Sequence, residues 1–128
     1  MNLFKKKYNR NKIINKKYDL VYPDHVKILD KNNFDDFINK YPLSVVDFWA
    51  PWCIHCRTMA PRIRRLSVIF KGKVAFGKID TSKNQDISKN FKILSIPHLI
   101  FFQNGNKISS ITGLKSTGEI KKVIDNLL

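Results

Sequence analysis

Hydrophobic and polar positions alternate along the chain with two different periods, and each stretch predicts an element. Val26 to Leu29 is a short apolar run of strand type. Phe34, Phe37 and Ile38 recur at helical spacing within Asn32 to Lys40, a stretch that opens on Asn and Asp and stops before Pro42. Ser44 to Trp49 is almost wholly apolar, the pattern of a strand in mid-sheet with both faces covered. Met59, Ile63, Leu66 and Phe70 mark one face of a longer helix, Cys56 to Phe70, in which Pro61 is expected to introduce a kink. Lys73 to Asp80 reads as a third strand and Asp86 to Phe91 as a short helix. Pro97 opens a fourth strand, His98 to Phe102, and Gln103-Asn104-Gly105-Asn106 is a hairpin turn into a fifth, Lys107 to Thr112. Ile120, Val123, Ile124 and Leu127 define a final helix. The order βαβαβαββα predicts an α/β domain with a central mixed sheet flanked by helices on both faces, parallel through the crossovers and antiparallel in the last hairpin. No internal repeat is visible.

The pattern does not begin at residue 1. Residues 1 to 22 carry Lys5, Lys6, Lys7, Arg10, Lys12, Lys16 and Lys17 against the single acid Asp19, and their largest apolar cluster is Ile13-Ile14. Neither a secretory segment nor a membrane anchor is readable there, so a cytoplasmic protein is expected. The expected organisation is a basic, flexible extension over 1–22 and a folded domain over 23–128. A length of 128 residues with 43% apolar content suffices for one buried core and suits a monomer. The whole chain has a formal charge of +14, which permits contact of the extension with nucleic acid or an anionic membrane. Much of that excess is compositional, however: Lys, Asn and Ile supply 47 of the 128 residues, the bias of an AT-rich genome, and only one glutamate is present.

Two cysteines build neither a disulfide framework nor a four-cysteine zinc site, and Cys53-Ile-His-Cys56 is too closely spaced for an ordinary structural cross-link. If a helix begins at Cys53, that thiol meets unpaired backbone N–H groups at the positive end of the helix dipole, which favours its thiolate. Cys56, one turn further in, is shielded. Such a pair closes a disulfide with little backbone movement, as a reversible redox couple requires.

The run Val46-Asp47-Phe48-Trp49-Ala50-Pro51-Trp52-Cys53-Ile54-His55-Cys56 resembles the thioredoxin family, whose pattern is D-F-W-A-x-W-C-G-P-C. The likeness extends over about Asp24 to Leu128 and includes Pro61, Phe76-Gly77-Lys78, Ser95-Ile96-Pro97, Gly105 and Gly113, all at the family's spacings from Cys53. It implies the thioredoxin fold and dithiol–disulfide exchange without a cofactor, with disulfide-bearing client proteins and a thioredoxin-reductase-type electron donor as partners. Position by position, the resemblance makes Cys53 the nucleophile and Cys56 the resolving thiol. Asp47, in an apolar strand where burial raises a carboxyl's pKa, becomes the proton acceptor for Cys56, and Lys78 the partner of Asp47. Pro97 corresponds to the family's cis-proline, beside which the Ile96 backbone would pair with an extended client segment. Trp52, Ile54, Ser95, Ile96, Thr112 and Gly113 would form the docking surface, while Trp49 is read as structural.

The departures are Ile54 and His55 in place of Gly-Pro. A histidine before the second cysteine can stabilise the thiolate and make the disulfide more oxidising, as in disulfide isomerases and periplasmic oxidants, or stand exposed with little effect. His98 admits either a packing role or tuning near the thiols, and His25 reads as surface. Arg57 adds to the positive field at the site, whereas Arg62, Arg64 and Arg65 form a solvated face, with weak steering of acidic partners as the consequence. Three competing readings are an oxidant or isomerase, a metal or iron–sulfur module built on Cys53 and Cys56, and a redox domain tethered to a polyanion by the extension.

Overall fold

The computed structural model describes residues 20–128, so most of the expected basic extension lies outside the described residues. The nine elements follow the predicted order: β1 (Lys27–Leu29), α1 (Phe34–Lys40), β2 (Leu43–Trp49), α2 (Ile54–Ile69), β3 (Ala75–Asp80), α3 (Gln85–Asn90), β4 (His98–Gln103), β5 (Asn106–Thr112) and α4 (Thr117–Leu127). The strands form one sheet in the order β1-β3-β2-β4-β5. β1, β3 and β2 run parallel, and β4 is antiparallel to both β2 and β5.

β2 lies at the centre of this sheet because its side chains are apolar in both directions. Leu43 and Val45 join Phe76, Leu99 and Phe101 in a core layer closed by Met59, Ile63 and Leu66 of α2 and by Ile120 and Ile124 of α4. Val46 and Phe48 join Ile79, Ile100 and Phe102 in a second layer closed by Phe34, Phe37 and Ile38 of α1. The alternation along each strand sorts its residues between the two layers. Asp47 and Lys78, in step with Val45 and Phe76, therefore stand on the α2 side.

Element ends differ from the sequence reading by one or two residues in most places. As the apolar spacing predicts, α2 runs as one helix through Pro61, from Ile54 to Ile69, beginning two residues before the expected start. Pro61 lacks the N–H that would bond the Arg57 carbonyl, yet the packing of Met59, Ile63 and Leu66 on either side of it carries the helix across. Gly105 (φ +86) turns the β4–β5 hairpin, as its neighbours predict. In α4, Ser116 and Glu119 form a reciprocal capping box.

Gly77 of β3 lets Leu29 and Phe37 pack directly on its backbone, since a Cβ there would stand 2.6 Å from Leu29 Cδ1 and 3.2 Å from Phe37 Cε2. Both neighbours are 2% exposed and cannot swing into solvent. Gly77→Ala is accordingly expected to destabilise the domain by about 1–3 kcal/mol through overpacking. Urea unfolding of the two proteins checks this, and an unchanged midpoint would show that β1 shifts freely.

Candidate functional site

Cys53 is the N-cap of α2, with extended backbone (φ −87, ψ 111), and its Sγ accepts a hydrogen bond from the Cys56 N–H at 3.1 Å. A sulfur thus fills the place usually taken by a Ser or Asp oxygen, directly over the helix N-terminus. Cys53 is partly buried and Cys56 only 3% exposed, and the two are joined in a disulfide with Cα atoms 5.2 Å apart. The loop before them is tied down twice. The Cys53 N–H donates to the Ala50 carbonyl at 3.2 Å, and the Arg57 guanidinium reaches back to the Pro51 carbonyl at 3.0 Å.

One distant segment meets this sulfur, and a second is tied to it. The Ile96–Pro97 bond is cis, and the Ile96 carbonyl oxygen lies 3.8 Å from Cys53 Sγ. The Gly113 N–H donates to the Pro97 carbonyl at 2.8 Å, which fixes the end of β5 against the proline. Gly113 itself has φ +89, the left-handed region that glycine adopts at little cost. Trp52 and Ile54, flanking Cys53, are 67% and 71% exposed. Ser95 and Thr112 are exposed, Ile96 and Gly113 partly buried, and Pro97 buried. Large apolar side chains this open stand beside the sulfur and outside both core layers.

Beneath α2, Asp47 is 3% exposed and its Oδ1 has no hydrogen-bond partner. Burial pushes its pKa up from 3.8 to about 7, and the positive charge of Lys78 only partly opposes this. Lys78 pairs with Asp47 in the β2–β3 register but forms no ion pair with it among the described residues. Its ammonium instead lies over the Trp49 ring, 5.4 Å from the centroid. The family resemblance implies that the two are partners; here Lys78 acts on Asp47 through its charge, without a direct contact among the described residues. His55 is exposed on the first turn of α2.

His98, left open by the sequence, is packed. Its Nδ1 shares a hydrogen bond with Thr112 Oγ1 at 3.1 Å, its ring stands edge-on to Phe48, and Nε2 is buried without a partner. Burial, with a smaller push from Lys107, holds its pKa below the ordinary imidazole value. The Arg57–Pro51 bond was not legible from sequence, where Arg57 registers only as charge; an arginine four residues after the N-cap was the sole signal for it. Among the described residues no three His, Cys, Asp or Glu side chains cluster as metal ligands.

A dithiol capping a helix beside a cis-proline, on a mixed sheet covered on both faces, defines a thiol–disulfide oxidoreductase. The thioredoxin family model matches residues 25–126. A thioredoxin of Staphylococcus saprophyticus is 35% identical over 103 residues, which span 80% of this chain and 97% of that protein. A chloroplastic thioredoxin of Oryza sativa is 36% identical over 104 residues, again 80% of this chain but only 60% of that longer protein. A solved mutant thioredoxin from Halobacterium salinarum superposes with a TM-score of 0.78 at 24% identity, covering 84% of this chain and 95% of its own, and shares the fold. The chain belongs to the thioredoxin family.

Asp47 has a consequence for stability that can be measured. Because its folded pKa is raised above the unfolded value, the stability linked to its protonation is fully present below about pH 3.8 and is lost as pH rises through about 7. The rise from 3.8 to about 7 corresponds to about 4 kcal/mol. Asp47→Asn, which never ionises, is expected to be more stable than the parent above about pH 8 by up to that order, with the gain vanishing below about pH 4. Equal stabilities at alkaline pH would show that water reaches the carboxylate.

Proposed function

We propose that the chain is a thioredoxin-type reductant of protein disulfides. The observation that supports this best is the meeting of the partly exposed Cys53 sulfur, held at the N-terminus of α2, with the Ile96 carbonyl beside cis-Pro97. In this reading the Cys53 thiolate attacks a client disulfide, forming a mixed disulfide and expelling one client sulfur, which takes up a proton. Cys56 then gives its proton to Asp47 and attacks the Cys53 sulfur, releasing the second client thiol and closing the Cys53–Cys56 disulfide. A pKa of about 7 fits Asp47 to accept and return a proton near neutrality, with Lys78 moderating it. No cofactor carries electrons, because the two sulfurs do. The Ile96 backbone pairs with an extended client segment, and Trp52, Ile54, Ser95, Pro97, Thr112 and Gly113 frame it.

The partners in this reading are disulfide-bearing client proteins and a reductase-type donor that reopens Cys53–Cys56. The protein works as a cytoplasmic monomer in electron transport and redox homeostasis; no helix among the described residues is long and apolar enough to cross a membrane. The catalytic domain is 23–128, and the basic stretch 1–22 contributes at most contact with a nucleic acid or an anionic membrane. His55 favours a second reading, an oxidant or isomerase, because a donor or charge on the first turn of α2 stabilises the thiolate and so the reduced form.

Cys53→Ser is expected to abolish disulfide reduction, while Cys56→Ser should still attack and accumulate as a mixed disulfide with the client. Insulin reduction and non-reducing electrophoresis check this pair, and a trapped complex with Cys53→Ser would reverse the roles. Glutathione titration then separates the two readings, since a reductant falls near about −270 mV and an oxidant or isomerase near about −120 to −180 mV. In the same titration His55→Pro should move the potential by tens of millivolts toward reducing values, about 30 mV for each 1.4 kcal/mol of thiolate stabilisation lost. An unchanged potential would leave His55 without a tuning role.

A further inference from the structure

A cleft of about 670 Å³ opens at the carboxyl ends of the three parallel strands, between the turn after β1 and the loop after β3. This is the place where open α/β sheets hold their ligands, and its size falls within the range of small-molecule sites. Its apolar wall is Ile28, Trp49 and Pro51, and its cations are Lys31, Lys78 and Lys83. Ile28, 73% exposed on an edge strand, has no role in either core layer.

The charges in the cleft are unbalanced in one direction. Three lysines face two acids, a net charge of +1, and both acids have an oxygen turned to local donors: Asp30 Oδ1 accepts from the Asn32 N–H at 2.8 Å, and Asp80 Oδ1 accepts from the Ser82 N–H and hydroxyl at 2.9 and 2.6 Å. None of the three lysines has a carboxylate within ion-pair distance among the described residues. Lys78 also reaches a second, much smaller cavity of about 20 Å³, where it meets Asp47 and Arg64. It therefore stands between the cleft and the buried carboxyl.

From this juxtaposition we infer that the cleft binds a small anion carrying a flat apolar body, such as an aryl or nucleoside phosphate, and that its occupancy is felt at Asp47 through Lys78. The body packs against Trp49, Pro51 and Ile28, and the anionic head sits among Lys31, Lys83 and Lys78. The charged groups facing Asp47 are Lys78 from β3 and Arg64 from α2, while β4 presents Leu99 and the segment before β1 presents Val26. An anion beside Lys78 cancels part of the field that favours the Asp47 carboxylate, so occupancy makes Asp47 hold its proton to higher pH. By linkage, the anion binds more tightly when Asp47 is protonated. Neither the binding nor its effect on the Asp47 titration requires the proposed role of Asp47 as proton acceptor; only a consequence for disulfide exchange rests on that role.

Heteronuclear NMR of the full chain with AMP, phenyl phosphate, inorganic phosphate and adenosine tests both parts. Saturable shifts of the Trp49 indole N–H, without matching shifts of Trp52, are expected with AMP or phenyl phosphate. Of these two, the tighter binder identifies the nucleoside or the simple aryl group as the preferred body. Lys31→Ala/Lys83→Ala, at exposed positions outside the redox site, should weaken binding about tenfold or more. The Asp47 carboxyl should titrate at higher pH in the saturated protein, and in Asp47→Asn the Trp49 shift should persist while its pH dependence disappears. Absence of saturation at millimolar probe, equal binding by inorganic phosphate or adenosine, or unchanged affinity in the double variant would overturn the site. An unmoved Asp47 titration with binding intact would overturn the coupling alone.

Discussion

The structure depends on one hydrogen bond above all: the Cys56 N–H to the Cys53 sulfur across the first turn of α2. It makes the reactive atom the cap of the helix, so the group that closes the helix and the group that does the chemistry are the same. A sulfur in that position accepts a donor the helix would otherwise leave unpaired, and a thiolate accepts it more strongly than a thiol does. The cost is that the sulfur's position is only as rigid as the helix beneath it. Met59, Ile63 and Leu66, each 2% exposed or less, anchor α2 to the sheet and supply that rigidity.

The same packing sets the second chemical feature. A strand whose neighbours on both sides are strands, and whose faces are both covered by helices, leaves little room for water to solvate a polar side chain. Asp47 occupies such a strand, in step with Val45 under α2, and its raised pKa is the electrostatic result of that placement. An ion pair with Lys78 would have stabilised the carboxylate and removed the shift. The Lys78 ammonium is drawn instead over Trp49, which keeps the cation close enough to moderate Asp47 and too far to neutralise it. Trp49 is thus structural in a specific sense, since it determines where the lysine's charge resides.

Much of this was legible in the sequence. The apolar run at Ser44 to Trp49 gives the central strand because apolar residues in both phases need cover on both faces. The heptad-like spacing of Met59, Ile63 and Leu66 gives α2 and its buried face, and Asn104-Gly105 gives the hairpin. The redox pair is visible because the Cys-x-x-Cys follows a buried strand within a run, Val46 to Cys56, that resembles the thioredoxin pattern. The same pattern of apolar spacing carries α2 through Pro61, where tertiary packing of the buried face offsets the missing local hydrogen bond. Local pattern could not show that Arg57 reaches Pro51, or that Lys78 turns toward Trp49 rather than Asp47. Long flexible cations choose among partners by geometry that spacing does not encode.

His98 illustrates how a departure from a family's pattern is absorbed. It follows a buried proline and begins β4, opposite Phe48 on one side and Thr112 on the other. A charged imidazole there would have to be desolvated against Phe48, so burial holds the ring's pKa down, while Nδ1 bonds Thr112. That bond runs parallel in function to the backbone bond from Gly113 to Pro97, one residue away on each strand. Two adjacent cross-strand ties therefore hold the proline segment against β5, one in the backbone and one through side chains. A residue foreign to the motif has become part of the support for the edge on which clients would be bound. The constraint at this position is that the side chain be uncharged, fit beside Phe48 and reach Thr112, rather than that it be any particular amino acid.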